Sequence, residues 1–519
     1  MVWRATDPQG NESAKVRFDL VPYMSGRVLD LGCGPQKVFP TAIGIDNRID
    51  AKLFGIQVKP DIAVENCLSM PFLADESADT VFSSHLLEHI VDTTSALTEW
   101  WRLVKVGGYL VLYLPHKKLY PNIGQPGANP DHKHDFDPAD IVGHMRGVGG
   151  WDLLVNDERN ADSEYSFLQV YRKRSDAEQV TVIYTKPEKT IGLVRLGANG
   201  DALWVSSLLP YFKREGYHIT MYTQSAGEAM LRNDPNVDHI ICQPHGLFDF
   251  GDGTTSMMQT AYWLHEEKKY TRFLNLIGAV ERRLLPQPFE SDFYLPLEQR
   301  QRVMNVNYLE ALHHWAGVPF ARDTVQQRFY PSAAELAWAM EERAKIPGRL
   351  VLINPSGSSA PKFWPFAQEL SEQLAFQGIY SVIVGDLRGV PFKAAGKYSR
   401  VIGQEWPLRN LLALASMADV VVGTESVLVN AVAYEKPLKV VLLSHSTHEN
   451  LTRDWLHTIA IEPEGLACYP CHRIHADFSH CSLDRSQNAA ACQSAAKPEL
   501  VMDLIASRLS SEGKARVYF

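Results

Sequence analysis

The sequence predicts an α/β protein in which doubly wound, mostly parallel sheets follow one another, and three observations predict it. Short apolar runs of strand length alternate with helical stretches over most of the 519 residues. Two of those runs break into glycine turns that open a helix, "RVLDLGCGPQ" from Arg27 and "IGLVRLGANGDALW" from Ile191. A fresh α/β set starts at "RLVLINPSG", after an irregular and then helical stretch around residues 245–350. The length allows about three to four domains of roughly 150 residues. A content of 45% hydrophobic and 21% charged residues is ordinary for a protein with a buried core.

Taken in order, the first block reads as strands "RVLDLG", "AIGID", "DTVFSSH" and "GYLVLYLP", with a helix in "TTSALTEWWRLVK". The charged text between Tyr171 and Lys189 marks a junction, so a first domain is expected over residues 1–178. "TIGLVRLGANGD", the helix "ALWVSSLLPYFKREG" and the strand "YHITMYT" open a second domain, expected over 189–345. "YSVIVGD", "ADVVVGTES" and "PLKVVLLS" follow in a third, over 346–519. No internal repeat and no low-complexity tract interrupts the series.

Charge and cysteine usage exclude some classes. A formal charge of −9 argues against a general nucleic-acid binder, which needs a basic face. The beginning has no apolar core with a small-residue cleavage site. The most apolar stretch is broken by Asp419, Glu425, Glu435 and Lys436, so no transmembrane segment is expected and any membrane contact would be peripheral. Seven cysteines, an odd number, suit a reducing compartment. A cytoplasmic location is expected.

In open α/β sheets ligands sit at the carboxyl ends of strands, where glycine lets backbone approach them. Asp30 stands just before Gly32 and Gly34, and Asp46 closes the next strand, where a carboxylate can take both hydroxyls of a ribose. Acid-Leu-Gly-x-Gly, Gly-x-Asp, "MPFLADESADTVFSSHLLEHI" and "LVKVGGYLVLYLP" then occur in one order. That order resembles the class I S-adenosylmethionine-dependent methyltransferases, over roughly residues 20–145. The resemblance implies a Rossmann-like methyltransferase domain with S-adenosyl-L-methionine as cofactor. It assigns the methionine part to Asp30, Gly32 and Gly34, the ribose to Asp46, and the adenine edge to Asn66, Cys67 and Leu68. Three features depart from the family pattern: Pro35-Gln36 replaces a usual third glycine, eleven residues separate Gly34 from Asp46, and Asn66 stands where Asp is common.

Methyl transfer is a displacement in which positioning supplies most of the acceleration, and an oxygen acceptor also needs its proton removed. His85, Glu88, His89, His116, His132 and His134 are the candidates, with His116 and His134 placed first as catalytic residues. "LPHKKLYPNIGQPGANPDHKHDFDP" is long and polar, as an acceptor-binding loop would be. Its "DHKHDFD" has enough donors for a metal, at a spacing that matches no site we can name.

"VRLGANGDALWVSSLLPYFKREG" resembles the opening of the heptosyltransferases, glycosyltransferase family nine. "INPSGSSAPKFWPFAQELSEQLAFQGIYSVIVGD" and "LLALASMADVVVGTESVLVNAVAYEKPLKVVLL" resemble two further motifs of that family, in the right order over 190–505. The resemblance implies a GT-B glycosyltransferase made of two Rossmann-like halves. The half 189–345 would hold the acceptor and the half 346–519 a nucleotide-diphosphate sugar as donor substrate. Asp201 matches the catalytic base, and Lys362, Glu425, Ser426, Val427, Leu428 and Asn430 the substrate-binding positions. Glu425, Ser426, Val427 and Asn430 replace the usual Asp, Thr, Gly and His, so the identity of the donor sugar does not carry over.

Near the end, Cys468, Cys471, Cys481 and Cys492 stand among His472, His475 and His480. A C-x-x-C pair with two more cysteines permits a structural zinc, or paired thiols. The sequence therefore predicts a bifunctional enzyme that adds a sugar to a glycan or glycolipid, such as lipopolysaccharide, and methylates, most simply at oxygen. Two rivals are a glycosyltransferase with a non-catalytic methyltransferase-like docking domain, and modification of nucleic-acid bases. An NAD-dependent oxidoreductase fits poorly, since neither glycine turn has G-x-G-x-x-G spacing.

Overall fold

The computed structural model describes residues 11–48, 51–53, 55–161, 164–185 and 187–515, with side chains described to residue 509. The chain forms two compact units. One comprises Met1–Glu188 with Ile241–Thr271, the other Lys189–Ile240 with Arg272–Phe519.

The first unit is built on an eight-stranded sheet. In chain order its strands are β1 (Val28–Leu31), β2 (Ile43–Asp46), β3 (Ile62–Ala63), β4 (Ala78–Ser84), β5 (Val104–Pro115), β6 (Trp151–Arg159), β7 (Ser166–Lys173) and β8 (Gln179–Thr181). They lie in the order β8-β6-β7-β5-β4-β1-β2-β3. β1 pairs parallel to both β2 and β4, whereas β7 runs antiparallel between β5 and β6. β1 is buried throughout, as a central strand covered on both faces must be. The helix Thr93–Leu103 forms because Asp92 caps it, accepting from the Ser95 N–H at 3.0 Å, and because Ala96, Leu97, Trp100 and Trp101 fall on one face. That face enters a core with Leu29, Leu31, Val81 and Leu112.

Reading along the sequence assigns residues 241–271 to the second domain; by its contacts this segment is part of the first unit. The reason is an aromatic and ionic patch on the helix Ser13–Leu20. The Phe18 ring lies 5.9 Å from Phe248 and 5.7 Å from Tyr262. Beside it, the Asp19 carboxylate accepts from His265 at 2.9 Å and from Lys269 at 3.2 Å.

The second unit holds two sheets. In the first, β9 (Thr190–Val194), β10 (His218–Thr223), β11 (His239–Cys242, whose last two residues already belong to the 241–271 segment) and β12 (Arg272–Asn275) lie in the order β11-β10-β9-β12, with β9 parallel to both neighbours. In the second, β13 (Leu350–Asn354), β14 (Tyr380–Val384), β15 (Ser399–Gly403), β16 (Val420–Thr424), β17 (Leu438–Leu442) and β18 (Thr458–Ile461) form a wholly parallel sheet, β15-β14-β13-β16-β17-β18. Successive side chains of β13 alternate between two cores, as the pleat requires. Leu350 and Leu352 join the large cluster, and Val351 and Ile353 join Trp364, Leu370 and Val440. The predicted class, an α/β chain with one Rossmann-like domain followed by two more Rossmann-like halves, is what the structure has. Among the described residues no helix is long and apolar enough to cross a membrane.

Candidate active sites

In the first unit the turn after β1 is held by two carboxylates. Asp30 is buried and accepts the Val38 N–H at 2.7 Å; burial pushes its carboxyl up to about 7, against the pull of that bond and of Lys37 and Arg17. Asp46, at the end of β2, accepts the Gly34 N–H at 2.9 Å and the Arg48 N–H at 2.9 Å. Gly32 and Gly34 both have left-handed backbone, φ +69° and +57°. A Cβ on Gly32 would come within 2.9 Å of Leu86, whereas one on Gly34 would meet nothing within 4 Å. The turn therefore leaves an open cradle above Gly34, floored by backbone and edged by the Asp46 carboxylate. That shape fits the ribose and methionine parts of S-adenosylmethionine. Asn66 and Leu68 form a local turn, the Leu68 N–H bonding Asn66 Oδ1 at 3.0 Å, and the Cys67 carbonyl accepts the Trp100 indole N–H at 3.1 Å.

Past β4 the chain makes a tight turn at His85, with φ +49°, into the single 3-10 turn Leu87–His89. Glu88 there is fully buried, and neither of its carboxylate oxygens has a hydrogen-bond partner. Three imidazoles surround it: His85 Nδ1 at 3.8 Å, His89 Nε2 at 3.9 Å and His132 Nε2 at 3.9 Å. Burial lifts the Glu88 carboxyl to about 8, lowers His85 to about 3, and lowers His89 and His132. The two first-choice catalytic histidines have other surroundings. His116 is buried at the end of β5 with its Nδ1 accepting the Lys118 N–H at 3.0 Å and its Nε2 3.6 Å from Glu158. His134 donates from Nε2 to the Val91 carbonyl at 3.0 Å and stacks on Phe136. The structure groups Glu88, His89 and His132, and places neither His116 nor His134 in that group.

In the second unit a cavity of about 830 Å³ lies between the carboxyl ends of its two sheets. Asp201 stands in the first turn of the helix Asn199–Ser206 and reaches back to accept the Ala198 N–H at 3.0 Å. Arg195, buried at the end of β9, donates to the Leu276 carbonyl at 2.7 Å and to Glu281, and lies 3.5 Å from Asp201. Two carboxylates thus share one guanidinium. Burial and the neighbouring Glu281 raise the Asp201 carboxyl to about 7, against Arg195. Burial also opposes charge on Glu281, but its direct bond to Arg195 outweighs this and keeps it ionised. Asp201 is therefore the member of the pair that exchanges a proton near neutrality.

Across the cavity Lys362 is half-buried with its Nζ 4.0 Å from Glu425; desolvation lowers its pKa, opposed by Glu425 and Asp201. Glu425 is used by the loop after β17. It accepts from the Ser444 and Ser446 N–H groups at 3.0 and 3.2 Å, from the Ser444 hydroxyl at 3.0 Å, and from His445 Nδ1 at 2.7 Å. Burial works against its charge, and these partners, His445 foremost, bring the carboxyl down to about 2. The Ser426 hydroxyl accepts from Asn354 at 3.0 Å, and Ser426, Val427 and Leu428 line the cavity at the start of the short helix Val427–Ala431. The Asn430 side chain is largely engaged: Oδ1 accepts from Trp204 at 2.9 Å and Gln327 at 3.0 Å, and one N–H of Nδ2 donates to the Ser426 carbonyl at 2.8 Å. It ties the helix after β9 to the helix after β16.

Sequence reasoning missed Arg195, Glu281 and His445. Arg195 lay inside the quoted glycine stretch, but its partners Leu276 and Glu281 come from about 80 residues away, and no local signal joins them. Cys468, Cys471, Cys481 and Cys492 line a second, small cavity of about 40 Å³ with His475 and His480. All are free thiols, and burial raises Cys471 to about 12 and Cys481 to about 11.

Residues 29–112 match a family profile described as a methyltransferase domain. No curated protein matches the sequence. Among solved structures, ADP-heptose LPS heptosyltransferase II of E. coli is similar at 15% identity, covering 63% of this chain and 99% of that one, with a TM-score of 0.43. A glycosyl transferase family 9 structure from Veillonella parvula DSM 2008 is similar at 13% identity, over 61% of this chain and 96% of that one, with a TM-score of 0.43. A SAM-dependent methyltransferase from Archaeoglobus fulgidus is similar at 19% identity, over 31% of this chain and 92% of that one, with a TM-score of 0.24. The chain carries a methyltransferase domain followed by a region whose structural neighbours are heptosyltransferases.

Proposed function

We propose that this chain is a bifunctional group-transfer enzyme: a glycosyltransferase using a nucleotide-diphosphate sugar, joined to an S-adenosylmethionine-dependent O-methyltransferase, with a glycan or glycolipid such as lipopolysaccharide as acceptor. The observation that carries the sugar-transfer half is the facing of Asp201 and Lys362 across one cavity. An acceptor hydroxyl placed there gives its proton to Asp201, whose pKa of about 7 suits a base at neutral pH. Its oxygen bonds the anomeric carbon while the bond from that carbon to the diphosphate breaks, the electron pair leaving with the phosphate oxygen. Lys362 supplies a cation to the departing charge, and the backbone N–H groups of Ser426, Val427 and Leu428 supply further donors. Arg195 keeps Glu281 ionised and so keeps the proton of the pair on Asp201 until pH approaches that value.

For the methyl-transfer half, S-adenosylmethionine supplies an electrophilic methyl group. Asp46 would accept the ribose hydroxyls with lone pairs not used by Gly34 and Arg48, and Gly32 and Gly34 let backbone lie against the methionine part. Asp30 acts one step back, holding the turn through Val38. The four cysteines form a structural zinc or thiol cluster in this reading, away from the transferred groups. The test is to incubate the full chain with labelled S-adenosylmethionine and a panel of nucleotide sugars, following calorimetric binding and product formation. Saturable binding of both donors is expected. Binding of the sugar nucleotide alone would leave a glycosyltransferase with a docking domain, and binding of neither would end the proposal.

A further inference from the structure

We propose that Glu88, His89 and His132 form a binding site for a first-row divalent cation beside the cofactor turn of the first unit. Their three donor atoms lie within 4.8 Å of one another. A cation held at about 2.1 Å by a carboxylate oxygen and two imidazole nitrogens separates its donors by roughly 3 to 3.6 Å, so side-chain shifts under about 1 Å close the set. Two imidazoles and one carboxylate form a donor set that suits iron, manganese or zinc rather than calcium or magnesium.

The second observation is the carboxylate itself. Glu88 is wholly inaccessible and both of its oxygens lack a partner, although buried polar groups are as a rule satisfied. Its Oε1 instead faces three imidazole nitrogens at 3.8 to 3.9 Å, too far for hydrogen bonds and close enough for one ion to be held between them. The site is also built on purpose by the backbone. The Lys133 and His134 N–H groups donate to the Glu88 carbonyl at 2.7 and 3.2 Å, which brings His132 from a distant loop onto the 3-10 turn. The His89 and His132 rings meet edge to face at 4.8 Å, and Tyr120 backs His132 at 5.4 Å.

The placement gives the ion a task. Leu86, two residues before Glu88, is the side chain that a Cβ on Gly32 would strike, so the cluster adjoins the turn assigned to the methyl donor. An acceptor hydroxyl that coordinates the ion is acidified and releases its proton to water. Its oxygen then bonds the methyl carbon, and the sulfur keeps the electron pair of the broken carbon–sulfur bond. This role rests on the methyl-transfer reading; the binding site itself does not.

The probe is Mn²⁺, which favours nitrogen and oxygen over thiolate and so separates this site from the cysteine cavity. Chelator-stripped full chain is titrated with Mn²⁺ while free-ion electron paramagnetic resonance is followed, and the bound ion is examined for modulation by ¹⁴N. One site with histidine nitrogen coupling is expected, weakened at least tenfold in Glu88→Gln and in His132→Gln, and retained in Cys468→Ser/Cys471→Ser. His132→Gln, a loop substitution, serves if Glu88→Gln does not fold. No bound Mn²⁺ at millimolar concentration, bound ion without nitrogen coupling, or unchanged affinity in both variants overturns the site. S-adenosylmethionine affinity measured on the same samples reports on the methyl-transfer reading separately.

Discussion

Each glycine turn has an aspartate beside it, Asp30 near the end of the strand that enters the first and Asp201 in the first turn of the helix that leaves the second, and the two are used in opposite ways. Asp30 and Asp201 are both pushed up to about 7 by burial. Asp30 spends its carboxylate on the Val38 N–H, inside a turn that has to be kept in shape. Asp201 faces an 830 Å³ cavity and shares a guanidinium with Glu281. A raised pKa on its own therefore does not mark a catalytic carboxylate. Each accepts a backbone N–H; what separates the two is that Asp201 also has a second titrating group and open space beside it.

The sharpest way to break that contrast is Asp201→Asn, which keeps the shape and removes the base. Sugar transfer should fall by about 10²- to 10⁴-fold in kcat, while methyl transfer by the same protein is unchanged. In the unaltered chain, kcat/KM for sugar transfer should rise tenfold per pH unit below about 7 and level off above it, because the ionised form of Asp201 is the base. The stability effect has the opposite sign. Both aspartates hold a proton when folded that they release when unfolded, from their ordinary 3.8 up to about 7. Each therefore favours the folded state at low pH and loses that contribution as pH rises through this window. A pH–rate profile for methyl transfer that followed the same rise would erase the distinction drawn between them.

Lys362→Met comes next in size. A charge-assisted contact to phosphate contributes about 1.5 to 3 kcal/mol, so nucleotide-sugar affinity should weaken roughly 10- to 150-fold. Calorimetry with the nucleoside diphosphate alone checks this without needing the sugar. On the other side of the comparison, Asp46→Asn keeps one carbonyl oxygen for Gly34 and loses the charge offered to a ribose. S-adenosylmethionine should bind about tenfold more weakly, on a loss of about 1 to 2 kcal/mol.

How far these sites could be read in advance follows from how local their parts are. Strand ends and glycine turns are written within a few residues, so β1, β2, β9, β13 and β16 and the acids beside them were legible. Asp30 and Asp46 were singled out in that way, whereas Asp201 and Lys362 entered through the resemblance to glycosyltransferase family nine. Glu425 was legible as a position but not as an acceptor for the loop Ser444–Ser446, since that pairing depends on how β16 and β17 end side by side. His132 could be seen only as one of several loop histidines. Its meeting with Glu88 is decided by two backbone bonds across some 44 residues. The segment Ile241–Thr271 carries no motif at all, and its place in the first unit rests on aromatic contacts with Phe18 that leave no periodic trace. Nor could a pattern show that the Asn430 amide is already engaged by Trp204 and Gln327.

The smallest effect on stability, and the most discriminating on binding, is expected at Gly34. Its φ of +57° strains any residue with a Cβ, by about 1 to 2 kcal/mol. No steric term adds to that, since the added methyl meets nothing within 4 Å. Gly32→Ala differs, because it would combine similar backbone strain, at φ +69°, with a Cβ only 2.9 Å from Leu86. Gly34→Ala should therefore lower the melting temperature of the chain by a few degrees at most, and Gly32→Ala by more. The space above Gly34 is also where the methyl donor would lie against the backbone. Its methyl group should weaken S-adenosylmethionine binding by more than the stability loss accounts for, and leave sugar-nucleotide binding as it was. Equal affinity for S-adenosylmethionine in Gly34→Ala and the unaltered chain would mean that the open cradle is not where the donor sits, and the symmetry between the two glycine turns would then be one of folding alone.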